Sequence, residues 1–142
     1  MAEKNIKKLI QDDILSGKYV VVICDENEIL YSSDSRGIKP IVEAYDSKLP
    51  LGLYAGDKVV GKAAAQIFHL IGIKYLYAGV ISKPAYEYIK TTDIEVEYAE
   101  LTDRILNRDK DGMCPMEEIA LHSNDDKETL IKVKEKLQEL TK

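Results

Sequence analysis

The sequence predicts an α/β domain in three layers, with helices on both faces of a mixed β-sheet. Residues 19–24 and 75–81 are continuous apolar runs rich in β-branched and aromatic residues, as interior strands covered on both faces require. Asp25-Glu26-Asn27 turns the first of these onto Ile29-Leu30-Tyr31, an antiparallel hairpin partner. Helical patterns separate the later strands, and a hairpin followed by β-α-β crossovers builds a mixed sheet.

In order, residues 3–15 place Ile6, Leu9, Ile10 and Ile14 at helical spacing and end at Ser16-Gly17. The hairpin follows, then a polar loop over 32–37 and a short helix over 38–46, with Pro40 tolerated in its first turn. A turn region leads into 56–71, which reads as one central helix, apolar nearly all round. Its polar residues Lys58, Lys62, Gln66 and His69 recur at helical spacing and form a single thin stripe. A helix of that kind is buried on most sides and reaches solvent, or a ligand, along one line. Asp57 stands where its side chain would cap the first turn.

Beyond the strand at 75–81, Ser82 caps a helix that carries Pro84 in its first turn. Ile94, Val96 and Tyr98 alternate with Glu95 and Glu97, the pattern of a strand near an edge with one buried face. Residues 102–107 read as a helical turn, 108–113 as a loop and 115–122 as a helix. The last helix starts at Asp125, with Glu128 placed for a capping box and Leu130, Val133, Leu137 and Leu140 as its apolar stripe. The expected order is α-β-β-α-α-β-α-β, then helices.

Composition bounds the function. The chain of 142 residues is most simply one domain, 1–142, long enough to bury about 70% of the surface its unfolded form exposes. No apolar run approaches the ~20 residues of a membrane span, and the charged start Met-Ala-Glu-Lys-Asn has no signal-peptide core behind it, so a cytoplasmic protein without a membrane partner is expected. A net charge of −5 argues against general nucleic-acid binding, which needs a basic face. Two cysteines, Cys24 and Cys114, are too few for a disulfide framework.

Four stretches carry a resemblance. Ser-Asp-Ser-Arg-Gly-Ile-Lys-Pro, Asp-Lys-Val-Val-Gly-Lys-Ala-Ala-Ala, Tyr-Ala-Gly-Val-Ile-Ser and Met-Cys-Pro-Met-Glu resemble, in order, a small prokaryotic family of unknown function, DUF1893. The resemblance covers about residues 20–122 and leaves flanking helices at about 3–15 and 125–140. It implies a cytidine-deaminase-like fold. A zinc deaminase carries a His or Cys and a catalytic Glu where its central helix begins, and Pro-Cys-x-x-Cys where the next begins. By the expected element order, Asp57-Lys58-Val59 holds the first place and Pro84-Ala85-Tyr86-Glu87-Tyr88 the second. Neither ligand set survives, so no zinc and no other cofactor is expected.

Each candidate site residue has a functional and a bland reading. Lys58 and Lys62 sit at the positive end of the expected central-helix dipole, where cations cost ~0.3–1 kcal/mol each. They bind an anion there with the backbone N–H groups, or they are the solvated stripe of a buried helix. Gly56 to Lys62 spells Gly-x-x-x-x-Gly-Lys, but Ala63 replaces the Mg²⁺-binding hydroxyl of a P-loop, and Gly61 serves close packing or ligand approach instead. In the loop after the hairpin, Arg36 offers a planar contact to an anion, beside Gly37 and Lys39, or the loop is an ordinary polar turn. Asn107 to Glu118 nearly spells a calcium loop, although Asn107 opens it and Pro115 interrupts it, which favours a charged turn. Cys114 at a helix start is a candidate nucleophile or a merely structural thiol, and Cys24 belongs to the core.

The expectation is a deaminase-like domain without its metal centre, whose pocket takes a small anionic or nucleotide-like molecule. Asp57 orients the helix start, Lys58, Gly61 and Lys62 meet the anion, and Arg36, Gly37 and Lys39 cover it. The alternatives are a metal-independent enzyme using Asp57, Cys114 or Glu117, and a homo-oligomerising or partner-binding module whose terminal helices form the interface.

Overall fold

The computed structural model describes residues 2–35, 37–105, 112 and 114–140. Its elements are α1 (Ala2–Leu15), β1 (Val21–Cys24), β2 (Ile29–Ser33), α2 (Lys39–Asp46), β3 (Tyr54–Val60), α3 (Lys62–Ile71), β4 (Tyr75–Ser82), α4 (Lys83–Ile89), β5 (Glu95–Thr102), α5 (Pro115–Leu121) and α6 (Asp126–Leu140). The strands form one mixed sheet in the order β2-β1-β3-β4-β5. β1 is antiparallel to both neighbours, while β3, β4 and β5 are parallel. It follows that β2, β3, β4 and β5 all finish at the same end of the sheet. From that end α2, α3 and α4 begin.

The residues of β1 show why its sequence is apolar throughout. Alternation sends Val22 and Cys24 to one face and Val21 and Ile23 to the other, and both faces are covered. On the first, Ile6, Ile10 and Ile14 of α1 pack with Tyr54, Tyr75 and Tyr77. On the second, Ala55, Leu76 and Ala78 of the sheet meet Ile41 of α2, Ile67 and Phe68 of α3, Ile89 of α4 and Val133 of α6. Each Ile or Val side chain so buried stabilises the fold by about 1.5–3 kcal/mol. This is the expected α/β architecture, with α1 on one side of the sheet and the remaining helices on the other.

The expected central helix over 56–71 requires correction. Its first part is the strand β3, seated between β1 and β4, and the helix begins only at Lys62. Small residues hid the strand. Ala55 and Gly56 carry little β signal, yet Gly56 is what lets α1 approach, since a Cβ there would lie 2.5 Å from Ile10 Cγ2. Val59-Val60 is the β-branched pair that favours extended backbone. Asp57 therefore caps no helix, and Gly61, extended at φ −99 and ψ 179, is the residue before the first turn of α3. The polar stripe dissolves as well: Lys58 is on the strand and Gln66 is fully buried, its amide donating to the Ser123 carbonyl at 3.2 Å.

Two smaller corrections concern the C-terminal third. β5 runs on to Thr102, where the sequence suggests a helical turn. Asp125 does cap α6, its Oδ1 accepting the N–H groups of Lys127 and Glu128 at 2.9 and 3.2 Å. Glu128 does not complete a capping box; its carboxylate pairs with Lys132 at 2.9 Å. The apolar stripes of the terminal helices, through Ile6, Ile10 and Ile14 and through Leu130 and Val133, lie inside the fold.

Candidate functional site

The end of the sheet where α2, α3 and α4 begin gathers the polar residues of interest. The first residue of each of these helices is a lysine: Lys39, Lys62 and Lys83. Gly37, at φ +91, makes the turn into α2 and adopts a left-handed conformation that only glycine takes freely. Ser82 caps α4, its Oγ accepting the Ala85 N–H at 3.2 Å. Arg36 lies outside the described residues, as do 107–111 and 113 of the calcium-like stretch.

At the start of α3 the free N–H groups meet a carboxylate from elsewhere in the chain. Glu117 of α5, only 4% exposed, accepts the Ala63 N–H through Oε1 at 3.3 Å. Gly61 makes this possible, because a Cβ at that position would overlap Glu117 Oε1. Burial raises the Glu117 carboxyl above its ordinary range, while the N–H groups of Ala63 and Lys62 and the Lys62 charge pull it back. Lys62 itself reaches Asn124, Nζ to Oδ1 at 3.3 Å.

Asp57 is 3% exposed, with Oδ1 accepting the Val59 N–H at 3.4 Å and Oδ2 without a hydrogen-bond partner among the described residues. Burial holds its carboxyl well above the usual carboxylate range, against the N–H groups of Val59 and Lys58. Lys58 is exposed, two residues before the end of β3.

Glu117 also lines a cleft of about 530 Å³ between α4, α5 and the end of β5, together with Lys83, Pro84, Glu87, Asp103, Arg104 and Leu121. Lys83 pairs with Asp103 at 2.8 Å, between side chains that both stand in solvent. Cys114, half-buried at the start of α5, donates its N–H to the Ile105 carbonyl at 3.0 Å. His122 sits at the far end of α5, and His69 is engaged elsewhere. Cys24 is buried in β1, its thiol pushed up to about 11 by burial and by the charges of Asp25 and Asp13.

A zinc centre does not fit these residues. Ile38-Lys39, Gly61-Lys62 and Ser82-Lys83 stand where the three helices begin, and none supplies an imidazole or thiolate. The strand β3 also takes Asp57-Lys58-Val59 away from any helix start, so those residues do not occupy the place of a deaminase's first ligand. Among the described residues no three His, Cys, Asp or Glu side chains are grouped to hold a metal ion.

The family model described as TM1506, domain of unknown function (DUF1893), matches residues 9–137. The chain belongs to that family. The DUF1893 match extends past the 20–122 suggested by the four motifs and takes in half of α1 and most of α6. The chain is also similar to a DUF1893 family protein (TM1506) from Thermotoga maritima, known from a crystal structure at 2.70 Å resolution. The two share 28% identity, with 94% of this chain and 90% of that chain covered and a TM-score of 0.86. No curated protein matches the chain significantly. No described helix of this DUF1893 domain is long and apolar enough to cross a membrane.

Sequence reasoning missed a second cluster, away from the helix starts. Tyr88 of α4 donates its hydroxyl to both Asp126 oxygens at 2.7 Å, and His69 Nδ1 lies 2.7 Å from Asp126 Oδ2. In the sequence His69 is only the end of a helix stripe, and no spacing links it to residues on α4 and α6. The cluster ties three helices together.

Proposed function

We propose that this DUF1893 domain binds a small anionic, nucleotide-like molecule at the end of the sheet from which α2, α3 and α4 start, on a deaminase-like scaffold that uses no zinc ligands. One observation carries the reading: each of those helices opens on a lysine, where its own dipole disfavours a cation by about 0.3–1 kcal/mol. A bound anion turns that cost into an attraction, because it pairs with the lysine ammonium groups. Lys62, Lys83 and Arg104 serve the anion. Gly37 and Lys39 flank it from α2, with Arg36 in the same loop. Lys58, exposed near the end of β3, and Asp57, buried just before the α3 start, belong to the same candidate set. The strand order β2-β1-β3-β4-β5 supports the deaminase-like assignment.

Isothermal titration with nucleoside monophosphates and sugar phosphates tests the proposal. Binding weakened at least tenfold by Lys62→Ala with Lys83→Ala supports it. Absence of binding at millimolar ligand, or binding indifferent to both substitutions, overturns it. A catalytic reading is favoured by Glu117, a buried carboxyl that faces a cleft and is held above its ordinary range, as a general acid requires. Turnover lost in Glu117→Gln while ligand affinity is kept would support that reading; binding with no product formed would leave the domain a binding module.

A further inference from the structure

We propose that the outer edge of β5 takes an extended, basic segment of a partner protein as a sixth strand of the sheet. The proposal concerns the side of the sheet and stands independently of the anion-binding reading. Three observations carry it.

The first is the contrast between the two edges. β2 and β5 close the sheet on its two sides. β2 has five residues, and its pairing with β1 shifts register between Ile23 and Cys24. Shortness and irregularity are common protections of an edge against further pairing. β5 has eight residues and keeps one register with β4, from Tyr75 opposite Glu95 to Ser82 opposite Thr102. It contains neither proline nor lysine, the residues that most often blunt an edge.

The second is the backbone. The Glu95 N–H donates to the Lys74 carbonyl at 2.9 Å, toward β4. Backbone groups alternate sides along a strand, so the N–H and C=O of Val96 and Tyr98 point outward. Residues 97–101 are exposed throughout. A strand laid there meets a row of donors and acceptors, the source of affinity in strand addition.

The third is charge. The charged residues of β5 are Glu95, Glu97 and Glu100, with no cation among them. Glu95 pairs with Lys7 at 2.9 Å and Glu97 accepts the Tyr75 hydroxyl at 2.9 Å, while Glu100 has no hydrogen-bond or ion-pair partner among the described residues. Like charges facing each other across two strands destabilise the pair, and opposite charges stabilise it. An incoming strand with lysine or arginine at alternate positions is thus the complement of this edge. Tyr98, set edge-on to Tyr86 and 38% exposed, and Leu101, 39% exposed, give such a strand apolar neighbours.

Titration of the full chain with two eight-residue peptides tests the proposal, one alternating lysine with valine and the other glutamate with valine. The basic peptide is expected to bind at least tenfold tighter and, at saturation, to slow hydrogen exchange of the Val96 and Tyr98 amides at least tenfold. Its affinity should fall at least tenfold in Tyr98→Pro relative to Tyr98→Ala, because proline removes an outward N–H whereas alanine removes only the side chain. Glu100→Lys should weaken it about fivefold. Equal affinity for the two peptides, no binding at millimolar peptide, or binding that leaves those amides exchanging as before overturns the proposal. A dimer of the chain, seen by sedimentation and dissolved by Tyr98→Pro, would assign the edge to a second copy and overturn it as well. Circular dichroism checks the folding of each variant. Should Tyr98→Pro not fold, exchange in the native chain and the affinity of Glu100→Lys decide, and an unchanged value in either overturns the proposal.

Discussion

The Glu117 carboxylate accepts the Ala63 N–H at 3.3 Å and so brings a negative charge from α5 to the start of α3. Helix starts leave backbone donors unpaired, and Gly61 has no side chain to pair them. A residue distant in sequence does the work that the sequence alone assigns to Asp57. It also joins α5, which follows β5, to the middle of the sheet.

Gly61→Ala is therefore expected to destabilise the fold by about 1–3 kcal/mol, the usual range for forcing extra atoms into a packed site. The cause is contact rather than backbone strain, because Gly61 is extended and any residue can adopt its conformation. Truncating the partner should relieve the clash. In a double-mutant cycle read by urea unfolding, Gly61→Ala should cost markedly less in a Glu117→Ala background. Equal cost in both backgrounds would show that Glu117 is not the obstacle.

The buried carboxyls of Asp57 and Glu117 set a pH dependence of unusual sign. Burial raises both above their ordinary range, so the folded state holds their protons more tightly than the unfolded chain does. Between the unfolded and folded values the folded state binds more protons, and stability falls as pH rises. The loss is absent below the unfolded value and complete above the folded one. Asp25 and Asp103, whose carboxyls are lowered, act in the opposite sense, so the comparison has to be made against a variant. Unfolding free energies from urea titrations between pH 4 and pH 8 should decline less in Asp57→Asn than in the native chain, by more than the ~0.5 kcal/mol of an ordinary surface change. Identical profiles would mean that Asp57 ionises as freely folded as unfolded.

Much of this fold is legible in the sequence because its signals are local. The apolar runs that form β1 and β4, Ser82 with Pro84 at the start of α4, and Asp125 at the start of α6 each announce themselves within a few residues. β3 does not. Its Ala55 and Gly56 are dictated by the approach of Ile10 and Ile14 from α1, a contact between distant segments that no periodicity records. Without β3, Asp57 and Lys58 fall at a helix start, whereas they lie on the strand that leads into it. Lys62, Gly61 and Glu117 are all candidates from the sequence, but their meeting depends on where α5 docks. The pairing of Tyr88 with Asp126 leaves no mark in the sequence at all.

Gly56 provides a direct check on the placement of α1. A Cβ there would fall 2.5 Å from Ile10 Cγ2 and 2.8 Å from Ile14 Cγ1, so Gly56→Val must push the helix away from the sheet. A loss of about 1–3 kcal/mol is expected from such overpacking. Ile10→Ala, which leaves a cavity at a side chain 2% exposed, should cost about 2–5 kcal/mol. Near-neutral values for both would place α1 off the sheet and leave Tyr54 and Tyr75 uncovered.

Tyr88, His69 and Asp126 predict an order of effects. Tyr88 donates to both Asp126 oxygens at 2.7 Å in a partly buried position, while the His69 side chain is 47% exposed. Hydrogen bonds to charged groups contribute about 1.5–3 kcal/mol, and more exposed pairs contribute less. Tyr88→Phe keeps the ring that meets His69 edge-on and removes only the hydroxyl, which touches both Asp126 oxygens and lies 2.9 Å from His69 Nδ1. It is expected to lower stability more than His69→Ala does, and to speed hydrogen exchange of the amides that open α6. Because Asp126 lies in the first turn of α6, its favourable place at the helix dipole remains in either variant. A larger loss from His69→Ala would reverse the assignment and make the imidazole, rather than the phenol, the main tie between α3 and α6.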